Sequence, residues 1–104
     1  MLYYIAHCYG GNPRNLERAR KITHDLQISD IENTYICPLL TFSFLKYNEL
    51  GFEKEMRLCL ELLSCCDGLI VASQNSVGVQ AEIDFANETG MEVVFLDARN
   101  PRTH

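Results

Sequence analysis

The chain has 104 residues, a hydrophobic fraction of 47% and a charged fraction of 22%, values typical of one globular domain. Its net charge of -5 argues against binding to a nucleic-acid polymer, because such proteins carry a basic stripe. The five cysteines have no C-x-x-C spacing, so we expect neither a metal site nor a redox dithiol, and no cofactor is implied. Without a signal sequence or a membrane-length apolar run, we expect a cytoplasmic protein with no membrane contact.

The first third of the chain predicts a strand, a loop, a helix and a second strand. Residues 2–6 form a short β-prone apolar run, as expected of a strand buried on both faces. Asn12 is a good N-cap and Pro13 a good first helical residue, so a helix should begin there. Its buried stripe has helical spacing and comprises Leu16, Ala19, Ile22 and Leu26. Residues 34–37 predict a strand that Pro38 ends.

The rest of the chain predicts two more helices and two more strands. Residues 39–52 are apolar and aromatic without a clean period, which is typical either of a binding loop or of a surface that faces a partner. We predict a helix over residues 53–64 and the strongest strand over 68–73. Ser76 should cap a helix over 77–89 that Gly90 ends, and 92–96 should form the last strand.

Alternating strands and helices predict a small Rossmann- or flavodoxin-like α/β domain with three layers and a four-stranded parallel sheet. We expect this domain to span residues 1–98, with a loose tail at 99–104. If the strand order is 2-1-3-4, the winding reverses between strands 1 and 3. Ligands of open α/β sheets bind at such a point, beyond the C-terminal strand ends. The loops at residues 7–13 and 74–78 meet there.

Both loops have features of a ligand site, and each feature also has a purely structural interpretation. Gly10 and Gly11 allow positive φ and close backbone approach to a ligand, or simply a tight turn. The ring of Tyr9 could stack on a base or pack internally. In Ser76-x-Gly78-x-x-x-Glu82, the carboxylate lies in the first turns of a helix, where the dipole favours the ionised form. Glu82 could bind sugar hydroxyls, attack an anomeric carbon, or only stabilise the helix start.

Four motifs carry a family resemblance over nearly the whole chain. They are Tyr4-Ile5-Ala6 followed by a Gly-containing loop, then Asn15-x-x-x-Ala19, then Met56-x-x-Cys59-Leu60-x-x-Leu63-x-x-Cys66-Asp67-Gly68, and then Ser76-x-Gly78-x-x-x-Glu82-x-x-x-Ala86-x-x-x-Gly90. With them the sequence resembles the nucleoside 2-deoxyribosyltransferase-like superfamily, and within it the small DUF4406 branch, which is often encoded by phages or prophages. The resemblance implies a Rossmann-like sheet and a protein that works inside a bacterial host cell.

The resemblance also implies a site and an activity. Active members of the superfamily cleave or transfer the N-glycosidic bond of nucleosides or nucleotides through a glutamate nucleophile, which Glu82 matches. The first loop, from His7 to Gly11, matches the base-contacting groups, and Ser76 with Gly78 matches the turn that holds the sugar or its 5′-phosphate. The predicted ligand-binding residues are His7, Tyr9, Gly10, Gly11, Asn15, Asn75, Ser76 and Gly78.

Two departures from the family pattern separate the possible functions. Cys59 stands where active members carry a second carboxylate, and His7 replaces a small residue, which narrows the pocket or adds a base contact. An N-glycosidase or transferase would use Glu82. A non-catalytic binder would sequester a nucleotide, for example as a phage sponge for an ADP-ribose-derived host immune signal. A third possibility is an interaction module that uses Phe42, Phe44 and Tyr47. These exposed aromatic residues and the short strands also predict a homo-oligomer.

Overall fold

The structure is a computed structural model that describes residues 1–74 and 76–96. Its elements in chain order are β1 (Leu2–Ala6), α1 (Pro13–Ser29), β2 (Thr34–Ile36), α2 (Pro38–Thr41), α3 (Phe52–Ser64), β3 (Gly68–Val71), α4 (Val77–Glu88) and β4 (Glu92–Phe95). The predicted tail at 99–104 and the predicted domain end at residue 98 lie outside the described residues, as does Asn75.

The four strands form one parallel sheet in the order β2-β1-β3-β4, which confirms the predicted α/β fold and strand order. The strand β1 is central: Tyr4 pairs with Ile36 on one side and with Leu69 on the other. The chain leaves β1 towards β2 and then crosses back to β3, so the winding reverses between β1 and β3. The loops after these two strands therefore lie side by side at one edge of the sheet.

Alternating residues of the central strands face two separate hydrophobic clusters, as the pleat of a strand requires. On one face, Tyr4 and Leu69 belong to a cluster with α3 and α4 residues such as Leu63 and Ile83. On the other face, Ile5 and Ile70 pack with Ala19 of α1 and with the start of α2. The sheet is thus covered by helices on both faces. This arrangement explains why its inner strands have almost uninterrupted apolar sequences.

The residues predicted to cap α1 and α4 lie at the ends of these helices. The side chain of Asn12 accepts a hydrogen bond from the N–H of Arg14 at the start of α1. The Ser76 hydroxyl accepts one from the N–H of Val79 at the start of α4, and Gly90 follows the end of α4 with φ of +76°. These contacts confirm the predicted helix starts. They also fix both loops that lie beyond the C-terminal ends of β1 and β3.

The predictions of individual elements need small corrections. Pro38 does end β2, but it is also the first residue of the short helix α2, which was not predicted. Proline suits a first helical position because the missing N–H has no partner there. Residues 1–74 and 76–96 therefore contain four helices, whereas the sequence predicted three. The other predicted boundaries agree with the structure or differ from it by at most two residues, which is the usual fraying of element ends. None of the described helices combines the length and the apolar composition needed to cross a membrane.

The cap of α1 gives a first testable prediction. Asn12→Ala removes the side-chain acceptor for the Arg14 N–H, and we expect the free energy of unfolding to fall by about 1 kcal/mol. Urea unfolding followed by circular dichroism measures this loss. Asn87→Ala, at an exposed position of α4, is the control and should not lower stability, because alanine favours a helix. Equal losses in both variants would contradict the capping role.

Candidate functional site

A cavity of about 270 Å³ lies beyond the C-terminal ends of β1 and β3, against α3. The loop after β1 contributes His7, Tyr9 and Gly10 to its lining, and α4 with its cap contributes Ser76, Gly78 and Glu82. Six of the residues predicted for the site therefore share one cavity, although about seventy positions separate the two groups. Their proximity follows from the sheet order, since β1 and β3 are neighbours.

Two other predicted ligand contacts support the first loop instead of lining this cavity. The side chain of Asn15 donates a hydrogen bond to the Tyr9 carbonyl over 2.9 Å. Gly11 has φ of +76°, and a Cβ there would stand only 3.0 Å from the ring of Tyr47. Both residues hold the backbone around Tyr9 in place. The eighth predicted contact, Asn75, is outside the described residues.

Glu82 is the buried carboxyl group of the cavity, and only 5% of its surface is exposed. The hydroxyl of Tyr4 donates a hydrogen bond to Oε2 of Glu82. Burial of the phenol, with the Glu82 charge next to it, raises the pKa of Tyr4 well above its ordinary value, so the hydroxyl stays protonated and remains a donor. A buried carboxyl group needs such a partner, because an unpaired one loses its hydration without compensation.

The ionisation of Glu82 differs from what the sequence predicted. The prediction placed Glu82 in the first turns of its helix, where the dipole favours the carboxylate. In the structure it lies beyond the first turn of α4, and burial raises its pKa to about 7. The hydrogen bond from Tyr4 acts in the opposite direction but is the smaller effect. Desolvation therefore outweighs the dipole, and both forms of Glu82 are present at neutral pH.

Cys59 lies on α3 and faces the same cavity as Glu82. Burial of the thiol, together with the charge of Glu82, raises its pKa to about 11. The thiol is therefore almost entirely neutral at physiological pH and holds its proton strongly. It does not replace the proton-donating role of a carboxyl group in the position where the family pattern has one.

Glu55 is a lining residue of the cavity that the sequence analysis missed. It lies four residues before Cys59 on α3, so both side chains are on the same face of the helix. Its Oε2 accepts a hydrogen bond from the N–H of Leu50 over 3.3 Å. The i, i+4 spacing from Cys59 was the signal that could have identified it. The cavity thus contains a second carboxyl group, one helical turn away from the expected position.

His7 lines the cavity at the end of β1, and only 5% of its surface is exposed. Its Nδ1 lies 2.7 Å from the carbonyl oxygen of Cys8. Burial, with a smaller contribution from the positive charge of Arg18, lowers the pKa of the imidazole below its ordinary value. His7 is therefore neutral at physiological pH. Nε2 is buried and has no hydrogen-bond partner within residues 1–74 and 76–96.

A second, smaller cavity of about 120 Å³ adjoins the first, and Tyr9, Tyr47 and Glu55 line both. Residues 39–52, whose role the sequence left open, form much of its lining, including Phe42 and Leu45. The rings of Tyr9 and Tyr47 meet edge to face, with centroids 5.5 Å apart. Phe44 of the same segment points away and is 78% exposed. The segment therefore contributes both to a cavity and to the outer surface.

Metal binding finds no support in the described part of the chain. Residues 1–74 and 76–96 contain no group of three or more His, Cys, Asp or Glu side chains that could hold a metal ion. The cysteines among them are free thiols.

The raised pKa of Glu82 makes protein stability depend on pH. In the folded chain this carboxyl group holds its proton up to about pH 7, whereas in the unfolded chain it loses it near pH 4.5. The folded state therefore binds more protons in this window, and its stability falls as the pH rises. Glu82→Gln keeps an acceptor for Tyr4 but cannot ionise. We expect its stability advantage over the wild type to grow between pH 4.5 and 7, to about 3 kcal/mol.

Urea unfolding at pH 4.5, 6 and 8 measures this difference. Glu88→Gln, which changes an exposed carboxylate on the same helix, is the matched control and should follow the wild type. Parallel stability curves for the wild type and Glu82→Gln would show that Glu82 ionises normally in the folded protein.

Comparison with known proteins gives one result at the level of the family. No curated protein and no solved structure matches this chain. The model of the domain of unknown function DUF4406 matches residues 3–95, which include both loops of the cavity and all of the sheet except Leu2. The chain therefore belongs to the DUF4406 family.

Proposed function

We propose that this protein binds a nucleoside- or nucleotide-type ligand beyond the ends of β1 and β3 and breaks or transfers its N-glycosidic bond, with Glu82 as the nucleophile. The observation that carries this proposal is the buried Glu82 carboxyl group, oriented by Tyr4, in a cavity at the reversal of the sheet winding. The resemblance of the motifs to the nucleoside 2-deoxyribosyltransferase-like superfamily supports the same chemistry. Fold alone would not, because similar sheets serve many reactions.

The two cavities fit the two parts of such a ligand. The smaller one is lined by Tyr9, Phe42 and Tyr47, and their rings offer apolar contact to a planar base. The larger one contains Glu82 and would receive the sugar. A 5′-phosphate would lie near Ser76 and Gly78, where the first N–H groups of α4 have no partners inside the helix.

The proposed reaction proceeds in two steps at the anomeric carbon. An ionised Glu82 oxygen forms a bond to C1′, the bond from C1′ to the base nitrogen breaks, and its electron pair goes to the base, which takes up a proton. Glu55 is the group in the cavity suited to supply that proton, because the Cys59 thiol holds its own too strongly. Water then attacks the glycosyl ester and releases the sugar, or the nitrogen of a second base attacks and the sugar is transferred.

A non-catalytic binder is the second candidate, and Cys59 favours it. In this function the protein sequesters its ligand, for instance as a phage protein that removes an ADP-ribose-derived immune signal in the bacterial cytoplasm. Glu82 would then bind a ribose hydroxyl and never attack C1′. A family member without catalytic activity is expected to lack the second carboxylate, and here the Cys59 thiol, whose pKa is high, stands in its place.

Base release from nucleosides and 5′-nucleotides separates these two functions. Glu82→Gln should abolish release with little change in affinity, because a nucleophile acts only on the way through the transition state. Wild-type release should pass through a maximum as the pH is raised, because Glu82 attacks as the carboxylate, with a pKa that burial raises to about 7, whereas Glu55 must keep the proton that it donates. Glu55→Gln should slow release by about 10²- to 10⁴-fold, as expected for loss of a general acid. Chromatography of the free base measures all three.

Controls on the same helices make this test specific. Glu53→Gln on α3 and Glu88→Gln on α4 change exposed carboxylates and should release base at the wild-type rate. If the wild type binds a ligand but releases no base, the sequestering function is correct. Glu82→Gln should then weaken binding by ~1.5–3 kcal/mol, the value of a charge-assisted hydrogen bond. If Glu82→Gln changes neither binding nor release, the assignment of the site is wrong.

We also propose that the chain forms a homo-oligomer. Phe44 and Phe52 are exposed near the cavity segment, and the edge strand β4 exposes Phe95. Large apolar side chains in contact with water favour association. Light scattering at micromolar concentration should give at least twice the mass of one chain, and Phe44→Ser should shift the distribution towards the monomer. A wild type that is monomeric throughout this range would contradict the proposal.

A further inference from the structure

His7 has a hydrogen-bonding state that the structure defines almost completely. A carbonyl oxygen only accepts hydrogen bonds, so the 2.7 Å contact with the Cys8 carbonyl requires the proton on Nδ1 of His7. A neutral imidazole carries one proton, and Nε2 therefore presents a lone pair. This nitrogen is buried, and none of residues 1–74 and 76–96 donates to it.

An unpartnered buried acceptor is unfavourable, and native proteins contain few of them. The side chain lines the larger cavity, so a ligand in that cavity is the available source of a donor. Glu82, the other buried polar group of the same cavity, is also an acceptor when ionised, and Tyr4 already donates to it. A matching ligand must therefore bring donors to this part of the site.

The position of the acceptor indicates which part of the ligand it contacts. His7 and Glu82 line the larger cavity and not the adjoining one, and the proposed function places Glu82 at C1′ of the sugar. The groups of a nucleoside that donate hydrogen bonds outside the base are the sugar hydroxyls. A ribosyl group has two of them on the ring, at C2′ and C3′, whereas a 2′-deoxyribosyl group has one.

We propose that Nε2 of His7 accepts a hydrogen bond from a ring hydroxyl of the sugar, so that the site prefers ribosyl to deoxyribosyl ligands. This inference rests on the proposed function, because it assumes a nucleoside-type ligand. His7 is then a specificity-determining residue, fixed in the accepting tautomer by the Cys8 carbonyl. His7 thus lines the cavity and also determines which sugar binds there.

Binding measurements with defined nucleosides test the proposal. Calorimetry with adenosine, guanosine, cytidine and uridine, and with their 5′-monophosphates, identifies the tightest ligand, whose 2′-deoxy and 3′-deoxy analogues are then compared. We expect the wild type to lose about two- to tenfold in affinity with at least one analogue, the range of one neutral hydrogen bond. In His7→Phe, which keeps a planar ring but no acceptor, that loss should disappear. If the wild type consumes the ligand, all variants are compared in a Glu82→Gln background.

Two further variants separate the hydrogen bond from a general effect on the site. His7→Gln retains an acceptor oxygen and should keep part of the discrimination. His24→Phe changes an exposed histidine of α1 and should keep all of it. If His7→Phe weakens the ribosyl ligand and both analogues equally, His7 only shapes the cavity and the inference is wrong. If none of the eight compounds binds the wild type, the proposed function fails, and the inference fails with it.

The tautomer itself gives a test that needs neither a ligand nor a variant. Nitrogen-15 NMR of the free protein at pH 7.5 should show His7 neutral, with the proton on Nδ1 and an unprotonated Nε2. A proton on Nε2, or an imidazolium ion at this pH, would overturn the inference even if the site binds nucleosides.

Discussion

The hydrogen bond between Tyr4 and Glu82 joins the core of this fold to its cavity. Tyr4 lies on the central strand, and its ring belongs to the cluster that contains Val79 and Ile83, the neighbours of Glu82 on α4. A carboxyl group among such apolar residues is tolerated only with a polar partner. The position of Glu82 thus depends on the pairing of β1 with β3, because that pairing brings the tyrosine under α4.

Burial also determines the chemistry available to Glu82. With a pKa of about 7, it is a weaker acid than an exposed glutamate and a stronger base once ionised. A more basic carboxylate is a better nucleophile, so the raised pKa favours the attack on C1′ in the proposed reaction. In the non-catalytic function, the same carboxylate would accept a hydrogen bond from a ribose hydroxyl. Enzyme and binder therefore start from one arrangement, and they differ in whether a proton reaches the leaving base.

Local sequence signals predicted most of the fold because the strands and helix starts have local causes. The apolar runs of β1 and β3, the cap at Asn12 and the cap at Ser76 each depend on a few neighbouring residues. The short helix α2 was missed because residues 39–52 pack partly against the cavity and partly face outwards, which produces no period.

The parts of the site that the sequence could not predict depend on distant residues. Burial in the folded chain raises the pKa of Glu82 against the opposing hydrogen bond from Tyr4, 78 positions away, so its helix position alone gave the wrong direction. The accepting state of His7 likewise depends on a backbone contact and on the absence of a partner within the described ranges. Glu55 was different, since its spacing from Cys59 was visible in the sequence but was not used.

The charges around the larger cavity bear on the phosphate state of the proposed ligand. Within residues 1–74 and 76–96, its lining includes Glu55 and Glu82 but neither lysine nor arginine. Lys46 lines the adjoining cavity, and the positive charge of Arg18 acts on His7. The whole chain has a net charge of -5.

A phosphate group in this cavity would be attracted mainly by the backbone N–H groups and the dipole at the start of α4, which contribute about 0.3–1 kcal/mol where solvent reaches them. Ionised Glu82 opposes that attraction, and protonated Glu82 does not. Neutral nucleosides should therefore bind better than nucleotides above pH 7, and the difference should shrink below it.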